Sequence, residues 1–138
     1  YFAIPIAVRS RAARVYACEA NPVSFRYLLE NVRLNRAGSV TPRFGDCRDV
    51  APAGVADWVV MGHFDAPRYV DVGVRCLRGE GTLLVHGLVP REAFPDGLAA
   101  DVTARIEAAG GRVASARSST MSRGADRSPA GGRGIGTL

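Results

Sequence analysis

A doubly wound, mostly parallel α/β sheet is the fold class that this sequence predicts. Three observations carry the prediction. Helix-type and strand-type segments alternate along the chain, the strand-type segments are short apolar runs, and successive runs end on Glu19, on Gly45-Asp46 and on Met61-Gly62-His63. In such a sheet the carboxyl ends of the strands converge on one crevice, which is where ligands bind.

The elements follow in order. Residues Ala3 to Arg14 read as a short helix with Pro5 in its first turn, where a missing N–H costs least. A strand from Arg14 to Cys18 comes next. Asn21 can cap the following helix with Pro22 at its first position, and Phe25, Leu28, Leu29, Val32 and Leu34 supply an apolar face until Ala37-Gly38. Strands are expected at Val40 to Phe44 and Ala56 to Met61, separated by a short stretch broken by Pro52 and Gly54. Tyr69, Val70, Val72, Val74 and Leu77 suit a helix that stops near Gly79, and Gly81 to Leu88 reads as a buried strand. A helix over Pro95 to Ala109, with Leu98, Val102 and Ile106 four residues apart, ends at Gly110-Gly111. One further strand is expected at Arg112 to Ala116. Residues 118–138, rich in Ser, Arg, Gly and Pro without periodicity, are expected to be disordered.

The chain has 138 residues, enough for one core. No apolar run approaches bilayer-spanning length and no signal-peptide pattern opens it, so a soluble, cytoplasmic protein is expected. Cys18, Cys47 and Cys76 are odd in number and form no Cys-x-x-Cys pair, which favours buried or neutral thiols over disulfides or zinc. All 18 cationic residues are Arg. Of the net +5, residues from Arg112 onward carry +4 and the preceding 111 about +1, so charge alone argues weakly for nucleic acid.

The residues at the strand ends point to a nucleoside-bearing ligand. Glu19 is placed to accept both ribose hydroxyls, because one carboxylate can take two hydrogen bonds. Asp46 is placed to accept from an adenine amino group, with the Cys47 backbone N–H at the ring edge. The bland alternatives are a solvated Glu at a strand end and an Asp that caps the turn toward Arg48 and Asp49. His63 has the intrinsic pKa of a base, but a loop histidine without a partner is more often a wall residue. His86 lies inside a strand and reads as a core histidine, and two histidines without a third ligand suggest no metal site. Arg26, Arg33 and Arg36 can meet phosphates or simply form a solvated helix face.

The run Val15 to Asn35, with Glu19-Ala20-Asn21-Pro22 and Glu30-Asn31-Val32-Arg33-Leu34-Asn35, is followed by three further segments. These are Gly45-Asp46-Cys47-Arg48-Asp49-Val50, Ala56-Asp57-Trp58-Val59-Val60-Met61-Gly62 and Cys76-Leu77-Arg78. Together they resemble class I S-adenosylmethionine-dependent transferases, and more narrowly the tRNA guanosine-37 N1-methyltransferases and the aminocarboxypropyl transferases of wybutosine synthesis. The resemblance covers Tyr1 to about Arg117. It implies a Rossmann-like class I methyltransferase fold, S-adenosylmethionine as cofactor, the anticodon region of tRNA as partner, and no metal or membrane. It also implies cofactor contacts from Glu19, Ala20, Asn21, Asp46, Cys47, Met61 and Gly62, with His63 near the reacting end.

Methyltransferases of this group carry an Asn-Leu-Pro or similar segment after the fourth strand. Met61-Gly62-His63-Phe64 departs from it in the direction of the aminocarboxypropyl branch. Against the family pattern, the first strand and its acidic, glycine-rich loop are expected upstream of Tyr1, so residues 1–117 are a partial transferase domain and 118–138 a disordered or non-native tail. Reading the codons of Gly134-Ile135-Gly136-Thr137 one base earlier would permit Gly-Tyr-Trp-His, which resembles the family's ending. The alternatives are a small-molecule methyltransferase, an NAD-binding module in which Glu19 grips a ribose, and a fragment with no activity.

Overall fold

The computed structural model describes residues 2–10, 12–93, 96–120 and 134–137. The chain divides into two compact units, Tyr1–Ala53 and Gly54–Leu138.

The first unit runs α1 (Ala3–Arg9), β1 (Val15–Glu19), α2 (Pro22–Leu34), β2 (Val40–Phe44) and the single turn α3 (Cys47–Val50). Helix α1 is shorter than its expected span to Arg14, because Ser10 turns the chain: its hydroxyl and its amide both donate to the Ile6 carbonyl, at 2.6 and 2.9 Å. Strands β1 and β2 pair in parallel, from Val15 opposite Val40 to Glu19 opposite Phe44. Helix α2 is the crossover between them. Asn21 caps it as expected, its Oδ1 accepting from the Val23 and Ser24 amides at 2.9 and 3.2 Å, with Pro22 at the first position. The partly buried face is Phe25, Leu28 and Val32, and the Phe25 ring lies 5.1 Å from that of Phe44.

The helix ends earlier than its expected limit at Ala37-Gly38. The Ala37 amide donates to the Val32 carbonyl at 2.9 Å and the Arg36 amide to that of Arg33 at 3.2 Å, which is a Schellman turn with Arg36 at its left-handed position, φ +51°. Glycine occupies that position without strain; an L residue there costs roughly 1 kcal/mol.

The second unit contains β3 (Ala56–Met61), a 3₁₀ turn (Ala66–Tyr69), α4 (Val70–Cys76), β4 (Leu77–Val89), a 3₁₀ turn (Arg91–Ala93), α5 (Asp96–Ala108), β5 (Ser119–Thr120) and β6 (Gly134–Thr137). Its sheet order is β3-β4-β6-β5, parallel between β3 and β4 and antiparallel thereafter. Ala66, Val70, Val85, Leu98 and Val102 form the core, with Met61, Val74, Leu83, Val89 and Ile106 packed against it. Two glycines permit the close layering. A Cβ on Gly73 would stand 2.9 Å from the Met61 sulfur, and one on Gly87 would stand 2.6 Å from Leu98 Cδ1.

Several expectations change here. The chain enters β4 at Leu77 rather than Gly81, because Leu77 pairs with Ala56 and Arg78 is anchored to the neighbouring strand, donating to the Val55 carbonyl at 2.9 Å and pairing with Asp57 at 3.2 Å. No strand forms over Arg112 to Ala116. The second edge of β4 over His86–Val89 is taken by β6, and Ser119–Thr120 pairs outside that. Within 118–138, Ser119–Thr120 and Gly134–Thr137 are thus strands, while 121–133 and 138 lie outside the described residues. The strands form two small sheets, ordered β1-β2 and β3-β4-β6-β5. Among the described residues, β1 is laddered only to β2, and β3 only to β4.

Candidate functional site

In the first unit the strand-end residues gather at one edge. Glu19 closes β1, Gly45 follows β2, and the Gly45 amide donates to the Glu19 carbonyl at 3.0 Å, so the two strand ends are tied together. Gly45 has φ +138°, and a Cβ there would meet Val50 Cγ1 at 2.7 Å, so the turn into α3 requires glycine. Glu19 is half-buried and its Oε1 accepts from the Asn21 amide at 2.8 Å. Its Oε2 accepts no bond among the described residues. Ala20 is exposed between Glu19 and the Asn21 cap.

Asp46 caps α3, its Oδ1 accepting from the Arg48 amide at 2.9 Å. The same residue also holds the Arg48 side chain: Nε donates to Oδ1 at 3.0 Å and Nη2 to Oδ2 at 2.6 Å. These hydrogen bonds hold the Asp46 carboxyl down at about 2. A carboxylate has about four acceptor positions; Arg48 fills three of them, and the Cys47 side chain adds a further, weaker hydrogen bond. The capping role foreseen as the bland alternative is therefore present, and it coexists with an ionised acceptor at the strand edge. Arg48 is the residue that sequence reasoning passed over; a carboxylate two residues before an arginine was the clue. Cys47 opens α3, so its amide lies outside the helix's own ladder. Burial, and then the Asp46 charge, push its thiol pKa up, as burial does for Cys76. None of the three cysteines is disulfide-bonded.

Met61, Gly62 and His63 belong to the second unit. Met61 is opposite Val85 in the β3–β4 ladder, and its carbonyl lies 3.2 Å from Nδ1 of His86, which is the buried, hydrogen-bonded core histidine expected. His63 follows β3 with its side chain 75% exposed. Its Nδ1 accepts from the Asp65 amide at 3.1 Å, and its carbonyl accepts from the Ala66 amide at 2.9 Å. The same Nδ1 stands 3.8 Å from the Asp65 carboxylate, so the ring is held within the turn that follows β3. Among the described residues there is no group of three or more His, Cys, Asp or Glu that could hold a metal ion, and no helix is long and apolar enough to cross a membrane.

Parallel strands joined by helices, with carboxylates on the connecting edge, define a Rossmann-like α/β domain of the methyltransferase type. The fold matches the crystal structure of the Methanocaldococcus jannaschii protein TYW2 in complex with AdoMet, with a TM-score of 0.90 and 28% identity over 99% of this chain and 61% of that one. The chain belongs to the TRM5/TYW2 methyltransferase domain family, whose sequence profile matches residues 1–110.

Among curated relatives, it is 39% identical over 90 residues to the tRNA(Phe) (4-demethylwyosine(37)-C(7)) aminocarboxypropyltransferase of Methanocaldococcus jannaschii, a match covering 64% of this chain and 36% of that protein. It is 30% identical over 89 residues to the tRNA (guanine(37)-N(1))-methyltransferase Trm5b of Pyrococcus abyssi, over 62% of this chain and 26% of that protein. The chain thus spans only about a third of the length of these relatives.

Proposed function

We propose that this chain is part of a cytoplasmic S-adenosylmethionine-dependent transferase that modifies a purine beside the tRNA anticodon, guanosine 37 or its tricyclic derivative, by adding a 3-amino-3-carboxypropyl group. The observation that carries the reading is the likeness to the Methanocaldococcus jannaschii aminocarboxypropyltransferase, 39% identical in sequence, and to the TYW2 structure from that organism, matched in fold with a TM-score of 0.90. The residues present suit the cofactor. Glu19 offers Oε2 to ribose hydroxyls, with Ala20 and Asn21 beside it. Asp46, ionised through Arg48, accepts from an adenine amino group in place of its weak bond from the Cys47 side chain, and the Cys47 amide donates to the ring edge.

When bound, the cofactor supplies a sulfonium with electrophilic carbons, and which carbon faces the tRNA decides the group transferred. The protein's contribution is positioning: holding one carbon in line at near-attack distance accelerates transfer by several orders of magnitude. No covalent enzyme intermediate is needed.

The test is incubation of the intact natural protein with unmodified and 4-demethylwyosine-containing tRNA and cofactor labelled on either the methyl or the carboxyl carbon. Carboxyl label is expected in the tRNA, with the methyl label leaving in methylthioadenosine. Methyl label in the tRNA would instead establish the guanine-N1 methyltransferase reading, which the likeness to Trm5b supports. Label in neither would refute both.

A further inference from the structure

We infer that the outer face of α2 and its C-terminal turn dock the phosphate backbone of an RNA helix, gripped by Arg26, Arg33 and Arg36; this rests on the tRNA reading above. The charge distribution is the first support. Residues 1–53 hold eight arginines against four acids, whereas 54–111 hold five against eight, so the near-neutral sum over the first 111 residues conceals a distinctly basic first unit.

The second support is pairing. Arg48, Arg78 and Arg105 are each matched to an aspartate, at 2.6, 3.2 and 3.0 Å, and Arg43 lies over the Tyr16 ring and donates to the Val50 carbonyl. Arg26, Arg33 and Arg36 are exposed and make no ion pair among the described residues. Their spacing of seven residues sets Arg26 and Arg33 on one face of α2, about 10 Å apart along the axis, with the exposed Glu30 between them on that face, so the stretch carries two cations and one acid.

Arg36 adds the third observation. It occupies the left-handed position of the Schellman turn, where glycine would sit without strain, and an arginine kept there at a cost in stability marks a functional side chain. Beside these cations, Tyr27 and Leu34 are 61% and 60% exposed. Exposed guanidinium groups interleaved with an aromatic ring suit phosphate and ribose surfaces, because the planar fork binds phosphate oxygens bidentately and the ring accepts a stacked or sugar face.

The test is fluorescence anisotropy of a labelled tRNA anticodon stem-loop on the intact natural protein, with Kd followed from 50 to 200 mM salt. Each phosphate contact contributes close to one unit to the slope of log K against log salt. The double variant Arg26→Gln/Arg33→Gln is expected to lower that slope by about two and weaken binding at least tenfold, while Arg26→Lys/Arg33→Lys largely retains both. Arg36→Gly is expected to raise the melting temperature while lowering the slope by about one, a combination that a purely structural residue would not produce. Arg78→Gln, which releases Asp57 and the Val55 carbonyl within the second unit, leaves the slope unchanged. Wild type that binds the stem-loop, with a glutamine double variant indistinguishable from it, overturns the docking surface and leaves the tRNA reading standing. Wild type that binds no RNA overturns the tRNA reading as well.

Discussion

At Asp46 one carboxylate serves two purposes, and the hydrogen bonds from Arg48 explain how. Three donors from Arg48, with the Cys47 side chain beside them, keep the group ionised and fixed at the strand edge before any ligand arrives. The folded-state pKa lies below the ordinary carboxylate value, so whatever stability this contact contributes is present above about pH 4 and is lost as pH falls toward about 2. Arg48→Met should move the Asp46 titration from about 2 up toward its model-peptide value of 3.8, followed by the carboxyl carbon shift in NMR. If the two acids hold the cofactor, Glu19→Gln and Asp46→Asn should each weaken its binding to the intact protein by roughly tenfold to a hundredfold, since a charge-assisted bond is worth about 1.5–3 kcal/mol. Isothermal calorimetry reads this directly, and unchanged affinity in both variants would remove the proposed roles. Arg36→Gly should raise unfolding stability by up to about 1 kcal/mol in urea titrations.

Among the elements, β4 does the most to organise the second unit. It receives β3 on one edge and β6 on the other, and α5 packs over it through Leu98, which is 1% exposed. Leu98→Ala should therefore cost about 3 kcal/mol, the range for a fully buried leucine whose neighbours cannot collapse into the gap. Gly87 faces that same leucine, and Gly87→Ala, whose new methyl would stand 2.6 Å from Leu98 Cδ1, should cost about 1–3 kcal/mol by overpacking. Chemical denaturation of both variants checks the pair, and a small effect for Gly87→Ala would mean that Leu98 can move aside. Helix α2 shows the opposite economy: it has no fully buried residue and is held by its Asn21 cap, its Schellman turn and one partly buried stripe. That leaves most of its surface available for contact.

On the scale of the whole molecule, the two units carry separate sheets, and β1 and β3 each present one edge without a ladder among the described residues. Unpaired backbone edges of this kind exchange quickly and bind other strands. Faster amide exchange is therefore expected along the unladdered edges of β1 and β3 than within the β1–β2 and β3–β4 ladders, read by hydrogen–deuterium exchange; equal protection would contradict this. Much of the plan was legible beforehand because it depends on near neighbours. The Asn21-Pro22 cap, the four-residue spacing of Leu98, Val102 and Ile106, and the acids that close β1 and β2 are all written within a few residues of where they act. What was misjudged depends on distant partners or on a competing turn. Ser10 ends α1 by capturing Ile6, β4 begins early because Ala56 and Asp57 meet Leu77 and Arg78, and the strand expected at 112–116 is displaced by 134–137. The rule that glycine marks a helix end pointed to Gly38, whereas the left-handed residue is Arg36. By itself, then, the sequence determined the alternation of elements, their caps and the residue types offered at the strand ends, because each follows from local propensity and periodicity. Only the tertiary structure decided strand partners and the final antiparallel strands, because these are choices among competing hydrogen-bond partners distant in sequence that are settled when the chain is folded.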